Sequence, residues 1–478
     1  MVNLPRCITQ GAPQVLRFQI GEIGQDLLAA LASGKERKDV LHTDPHTSDA
    51  GPAATLIWVV GDAAAHGSRL SASAGQVPIR FKTCHEQPPT DQDRFHRQPL
   101  MALDIVGPDG LALAEAHEPL LSAIAAAAAD TDRHGVQRRC FDAMAAAGLL
   151  GRPLQPPALQ RELAERLFMA DGSLTFCWLQ HQLPLRRLLN AVSSPEAPAA
   201  SALRERWLEQ VASGQALAGV AFAHLRRPRA ANPAATRIPG GWRLDGRLDW
   251  ITSWDIADLV LLCVRWVDAS GDRVVGLLLP GGTCGEPLPA GISLSEPLAL
   301  LAMAGTHTRP MQLDGAEVAD SQVLFVEDFS GWSAADAATV CRVSPVVFGC
   351  IRGAIADLHQ VASSHHDAQA LALAAALSRD CQQLRHQAYR LIDANAEDSP
   401  ELRQRHQGLR AQALELAMRS AQAAVIAHAG GAMYCGCAAE RRLREASFLL
   451  VQAQTADSRR ASLDLLLHSS FHQQHGHQ

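Results

Sequence analysis

Few side chains in this sequence are of the kind that move protons or electrons, and they are scattered. His224 is one, because an imidazole titrates near neutrality and can act as an acid or a base. A His inside an apolar run more often satisfies a buried hydrogen bond. Cys435 and Cys437 form the only close pair among eleven cysteines, a spacing open to a metal or redox role. The remaining cysteines are irregularly placed and make neither a disulfide framework nor a zinc pattern, so reduced thiols are the default reading. His365-His366 and the run FHQQHGHQ at 471–478 invite a metal ion. Irregular spacing on polar segments reads instead as solvated sequence, and no metal site is expected. Arg309, Arg441 and Arg444 read as ion-pair partners within the fold, with phosphate contact as the alternative.

The elements that would hold such residues are best marked in the run GGWRLDGRLDWIT, 240–252. Trp242, Leu244 and Leu248 alternate with charged residues, and Asp245-Gly246 sits where a tight turn belongs, so the run reads as a hairpin. Trp250 then stands at a strand end, where an aromatic belongs to the core, and Thr252 can satisfy a turn or cap the next segment. The apolar run 259–264 closes the unit as a further strand. Short alternating or β-branched runs extend from 217 to about 327: LAGVAFAHL, VVGLLLP, RPMQLDGAEV and QVLFV. Helical periodicity precedes them at 111–130, 138–150, 160–169 and 201–212. It returns at 340–363, 368–393, 401–428 and 438–467, four runs that would make a four-helix bundle.

A chain of 478 residues has room for two or three domains with a real core. A hydrophobic content of 47% with 19% charged residues describes a globular protein, and a net charge of −6 argues against a nucleic-acid surface. No run reaches eighteen uninterrupted apolar residues, so no membrane span is expected, and the start lacks the pattern of a secretion signal. A cytoplasmic location is the expectation. The composition breaks near residue 100. Lys35, Lys38 and Lys82 are the only lysines, all before that point. Residues 1–100 are poorly periodic; Ala-rich helical sequence begins at Met101. The first hundred residues read either as a weakly structured extension or as an upstream stretch joined to a chain that starts at Met101.

Helices, then strands, then helices, with three motifs in order, resemble the acyl-CoA dehydrogenase family. The family's Gly-x-Lys-x-Trp-Ile-Thr stretch is answered by Gly246, Trp250, Ile251 and Thr252, with Asp258 before the next strand. GTHTRPMQLDGAEV (305–318) is similar to the family's Thr-Arg segment, with Arg309 as the charged member. GGAMYCGCAAERRLREAS (430–447) is similar to its Gly-Gly and Glu-Arg-x-x-Arg-Asp-Ala elements, through Gly430, Gly431, Tyr434, Glu440, Arg441, Arg444, Glu445 and Ala446. FDAMAAAGLLG (141–151) resembles a segment near the start of family members. The likeness spans roughly 110–467, and a start at Met101 would give a typical family length. It implies an α+β fold: an N-terminal α-helical domain (101–215), a middle β-barrel or sandwich domain (216–327) and a C-terminal four-helix bundle (328–467). Residues 468–478 are left as a His/Gln-rich tail.

The resemblance also implies a chemistry. Dehydrogenation of an acyl thioester removes an α proton and passes a β hydride to a flavin, so a carboxylate must face the flavin across the substrate. The family's usual Glu falls here on Ala453, and only Thr455 remains of the Glu-Gly-Thr that holds it. The alternative position, in CRVSPVVFG (341–349), offers no carboxylate. The flavin-contact loop is replaced by AFAHLRRPRAAN (221–232), which leaves Ala223 beside the flavin and His224 as a weak substitute acid or base. The phosphate-binding Arg element is replaced by SSHHDAQAL (363–371), and Ala427 stands for the Gln before Gly430-Gly431. The implied cofactor is FAD, held by Ala223, Trp250, Ile251, Thr252, Gly430, Gly431 and Thr455. The implied function is an FAD-dependent oxidoreductase acting on the CH–CH group of an acyl-CoA or related substrate. An electron-transfer partner and a homodimer or homotetramer go with it. Two alternatives stay open: a flavin-dependent monooxygenase of the same fold, which needs no α-proton base, and a non-catalytic scaffold.

Overall fold

Alternation along 241–248 buries Trp242, Leu244 and Leu248 on one face while Arg243 and Arg247 point to solvent, and a register shift after Leu248 breaks it, leaving Trp250 exposed and Ile251 buried. This one long strand is the spine of the middle region and replaces the hairpin expected over 240–252: the chain runs straight through Asp245-Gly246, and the turn lies earlier, at Pro239-Gly240, where Ile238 pairs with Gly241. The computed structural model describes residues 108–468 apart from 229–231 and 270, together with the four strands Gln14–Ile20, Val40–Leu41, Ala54–Val60 and Phe81–Lys82. Two units result, Met1–Gln98 and Pro99–Gln478. In the first, β1 (Gln14–Ile20) pairs antiparallel with β3 (Ala54–Val60), Gln14 opposite Val60, and β2 (Val40–Leu41) pairs with β4 (Phe81–Lys82). The His/Gln run at 471–478 lies outside the described residues.

The second unit opens with five helices: α1 (Pro108–His134), α2 (Arg138–Ala146), α3 (Pro157–Ala170), α4 (Gly172–Leu189) and α5 (Ala200–Ser213). Asp171 starts α4 by accepting a hydrogen bond from the Leu174 N–H at 3.0 Å, which satisfies one orphan donor of the first turn. The strands follow as β5 (Ala218–Ala221), β6 (Ala234–Ile238), β7 (Gly241–Ile251), β8 (Leu259–Asp268), β9 (Gly271–Pro280), β10 (Ile292–Leu294), β11 (Arg309–Ala319) and β12 (Val323–Asp328). They form one mixed eight-stranded sheet in the order β10-β11-β7-β6-β8-β9-β12, with β5 added in parallel to β8. This sheet is the middle β-domain expected between the two helical regions, and Val220 near the end of β5 also bridges to Thr252 just beyond β7. The sheet's apolar face, from Trp242 to Leu324, makes the largest core cluster.

The C-terminal region contains α6 (Phe329–Val340), α7 (Pro345–His365), α8 (Ala368–Asp393), α9 (Pro400–His428), α10 (Ala438–Val451) and α11 (Ala456–His468). Pro345 and Pro400 stand in the first turn of α7 and α9, where a missing N–H costs nothing. The stretch Phe329–His365 is long and apolar enough to cross a membrane by composition. In α7 that apolarity serves the bundle, because Val346, Val347, Phe348, Ile351, Ile355 and Leu358 are all buried in its core.

Two further details depart from the periodicity. The run read as one helix over 438–467 is broken, because Ala453 adopts φ +50° and Thr455 starts a new helix, trading hydrogen bonds with Ser458. The run LAGVAFAHL is a strand only to Ala221. A 3₁₀ turn at Ala223–Arg226 then swings the chain away. Between the helical layers, Glu162 and Glu165 of α3 are buried against Arg352 of α7 and Arg385 of α8, with the Tyr389 hydroxyl donating to Glu165 at 2.6 Å. These ion pairs fix α3 on the bundle.

Candidate functional site

A cavity of about 480 Å³ opens where the sheet, α4 and the end of α10 meet, a size in the range of small-molecule sites. The sheet side contributes Val220, Phe222, Ala223, Arg226, Trp250 and Thr252; the segment before β11 contributes Leu300, Leu301, Ala302, Met303, Thr306 and Thr308. Phe176 and Gln180 come from α4. Arg444, Ser447, Phe448 and Val451 come from α10, with Gln452 and Ala453 just beyond its end. Phe176 and Phe448 meet edge to face at 5.1 Å and close one wall.

Trp250 is 45% exposed although it ends a strand whose other apolar residues are buried, and its exposed face borders the cavity. Thr252, Thr306 and Thr308 are buried and linked. The Thr306 hydroxyl donates to the Met303 carbonyl at 2.7 Å, and Thr306 and Thr308 hydroxyls stand 2.8 Å apart. A hydroxyl has one hydrogen. With that of Thr306 committed to a carbonyl, Thr308 must donate to Thr306. Thr252, 3.3 Å from Thr308, must then donate to Thr308. All three hydrogens run down the chain toward Met303, so the lone pairs are what this wall offers a ligand.

Arg226 and Arg444 are the titratable groups of the cavity wall; no carboxylate, His or Cys lines it among the described residues. Arg226 binds Asp336 of α6 through Nε and Nη2, both at 2.8 Å. Arg444 is engaged by Glu440 and Asp132 and also reaches the Leu301 carbonyl, and its pKa is raised by these two carboxylates although burial opposes them. Ser447 donates back to Leu443.

The residues singled out in the sequence fall on both sides of the cavity wall. Ala223, Trp250, Thr252 and Ala453 line the cavity. Ile251 is fully buried on the opposite face of β7 and belongs to the sheet core. Thr455 caps α11, and Gly430 and Gly431 lie in an exposed turn after α9, away from the cavity. His224 turns inward from the 3₁₀ segment, its Nε2 donating to the Cys263 carbonyl at 2.6 Å. Burial pulls its pKa down to about 4, so it is a neutral core imidazole. Arg309 pairs with Asp255, Asp258 with Arg138, and Arg441 sits beside Glu445. Phe222, Arg226, Thr306 and Thr308 were not singled out. The Thr-x-Thr-Arg spelling of 306–309, two hydroxyls on one side of a strand start, was the available signal for the last two. No group of three His, Cys, Asp or Glu is placed to hold a metal ion among the described residues.

The chain matches no protein-family model and no curated protein. Solved structures do match. Butyryl-CoA dehydrogenase of Megasphaera elsdenii aligns at 16% identity over 80% of this chain and 100% of its own, with a TM-score of 0.57. Glutaryl-CoA dehydrogenase of Mycobacterium smegmatis aligns at 17% identity over 78% of this chain and 97% of its own, with a TM-score of 0.60. A dibenzothiophene monooxygenase from a Paenibacillus species aligns at 18% identity over 75% and 97%, with a TM-score of 0.57.

Proposed function

From the premise of an acyl-CoA dehydrogenase fold in a divergent sequence, we propose that the protein is a flavin-dependent oxidoreductase whose reaction needs no carboxylate base, namely a monooxygenase. The observation that carries this reading is the cavity wall. Its titratable members are two arginines, and Ala453 stands where the family resemblance puts the base. An α proton of a thioester is too weakly acidic to leave without such a base. Dehydrogenation of an acyl-CoA, the reading the sequence put first, would therefore require a group from outside the described wall.

The cavity suits a flavin ring on grounds of its own. Trp250 offers an exposed indole, Thr252 and Thr308 offer acceptors at one edge, and Phe176, Val220, Phe222, Leu300, Met303 and Phe448 supply apolar surface. The phosphate end is less well matched, because Gly430-Gly431 lies elsewhere and Arg444 is fully engaged. FAD and FMN share the ring, so both enter the test. A bound flavin would supply two electrons and a site for reaction with dioxygen. One oxygen atom would enter the substrate and the other leave as water, with the two electrons coming from the reduced cofactor. The protein's part is to hold the ring against Trp250, to accept its N–H groups on the threonine chain, and to keep water out with Phe176 and Phe448. The monooxygenase among the fold neighbours was solved with FMN and with indole, which agrees with this arrangement of cofactor and apolar substrate.

The test loads purified protein with FAD or FMN and records its visible spectrum. Retained flavin with oxygen-dependent reoxidation, and no bleaching by acyl-CoAs under anaerobic conditions, is the expected result. Failure to bind either flavin would favour the scaffold reading. Ala453→Glu is expected to introduce bleaching by at least one acyl-CoA, since it restores a carboxylate to the wall.

A further inference from the structure

Arg226 and Arg444 look alike as cavity arginines, but their surroundings differ in charge. Arg444 has two carboxylates, Asp132 and Glu440, and each of its nitrogens is bonded. Arg226 has one carboxylate, Asp336, held by Nε and Nη2. Its Nη1 has no partner among the described residues and belongs to a side chain that lines the cavity. The Asp336 fork locks the guanidinium plane, and the Phe222 ring lies 5.0 Å beneath it.

A second arginine stands behind it. Arg410 of α9 is 6% exposed and has no carboxylate partner among the described residues. It donates through Nη1 to the Val340 carbonyl, at the end of α6, and through Nη2 to the Gln452 carbonyl, at the end of α10, the latter at 2.6 Å. Two helix C-termini supply only partial negative charge. Burial and the nearby Arg226 pull the Arg410 pKa down to about 10, which still leaves it cationic at neutral pH. Gln452 itself lines the cavity, so Arg410 sits one residue layer behind the wall. A buried cation offset only by helix ends, next to a preset guanidinium with a free edge, makes this corner the positive one.

We propose that Arg226, backed by Arg410, is an anion-binding corner of the cavity, and that the substrate is an apolar ring or chain carrying one carboxylate-like group. The Nη1 edge would donate to that group while the apolar wall of Phe222, Trp250 and Phe448 takes the rest. This rests on the reading of the cavity as the substrate site. It is independent of which oxidation takes place there.

Two fluorescent probes that share an aromatic body test it: anilinonaphthalene sulfonate, which is anionic, and N-phenylnaphthylamine, which is neutral. Both are titrated into the full chain, alone and with saturating FMN. The sulfonate is expected to bind tighter by about tenfold, the scale of one hydrogen bond to a charged group. Arg226→Met is expected to bring the two affinities together by weakening the anion alone. The pair Arg226→Met with Asp336→Leu removes the ion pair whole and should give the same result if the single change unsettles the fold. Arg410→Met should narrow the gap by less. Equal binding of the two probes in the wild type, or an unchanged ratio in the Arg226 variants, would overturn the proposal. Loss of only the sulfonate when FMN is added would assign the anion to the cofactor and overturn the substrate assignment. Failure of the flavin reading shows instead as no FMN bound, with the probe ratio intact.

Discussion

Two places in this molecule gather arginines, and they are built in opposite ways. Between α3, α7 and α8, Glu162 and Glu165 are 2% and 0% exposed and are matched by Arg352 and Arg385. In the cavity, Arg226 and Arg444 belong to a wall that carries no carboxylate among the described residues. The chain does bury glutamates, but as clamps between helices. The contrast teaches that a buried carboxylate is available to this fold and has not been placed where dehydrogenation would use it. A buried ion pair is costly to form, and breaking it is costlier, because the partner is left charged and unmatched.

The sharpest way to set the two regions apart is to cut each. Glu165→Ala leaves Arg352 and Arg385 to share Glu162 and strands the Tyr389 hydroxyl. It should lower unfolding free energy by about 3–5 kcal/mol, read as a shifted urea midpoint. Changes at Arg226 or Trp250 should cost far less stability and act on ligand affinity.

Acid should separate the regions next. The pKa values of His181 and His224 are both held near 4 by burial. Each folded pKa lies below the unfolded value of about 6.5. Stability from these residues is therefore present above about pH 6.5 and lost as pH falls through 4. Asp171 runs the other way. Burial raises its carboxyl to about 6, so its contribution is largest below the unfolded pKa and is lost as pH rises through 6. His224→Gln keeps a donor for the Cys263 carbonyl without a titrating ring. It should flatten the acid limb by about 3 kcal/mol, measured as urea stability between pH 7 and 4. Asp171→Asn should stabilise the protein at pH 7.5 by about 2 kcal/mol while leaving its value at pH 4 unchanged. In both cases flavin retention at pH 7.5 should stay as in the wild type, since neither residue lines the cavity.

The smallest effect is expected at the cavity's edge. Ala453 is a non-glycine residue at φ +50°, in the left-handed region, directly after Gln452, whose carbonyl accepts from Arg410. Ala453→Gly should gain about 1 kcal/mol or less, because relief of the left-handed strain is partly offset by glycine's freedom in the unfolded chain. A thermal melt reads it.

How far the sequence carried the account differs between fold and site. The order helix, strand, helix was legible because period-2 and period-3.6 patterns hardly overlap in 217–327 and 340–467. Trp250 and Thr252 were legible for a local reason, since they end an alternating strand and match a motif. The break after α10 was not, because an alanine at positive φ leaves no mark on an Ala-rich helical pattern. His224 misled because an apolar strand pattern does not show that a 3₁₀ turn follows Ala221 and rotates the ring into the core. Arg226 and Arg410 were illegible for a different reason: their meaning depends on which carboxylates stand beside them, and that partner lies 110 residues away for one, while the other has none among the described residues.

The most direct measurement is anaerobic titration of the flavin-loaded wild-type protein with a panel of acyl-CoAs, followed in the visible band, beside the same protein given reduced flavin and dioxygen. A cavity without a carboxylate base predicts that the flavin band stays unbleached by every acyl-CoA and that reduced flavin is consumed with oxygen. Bleaching of the wild-type flavin by any acyl-CoA, with release of the enoyl product, would contradict it.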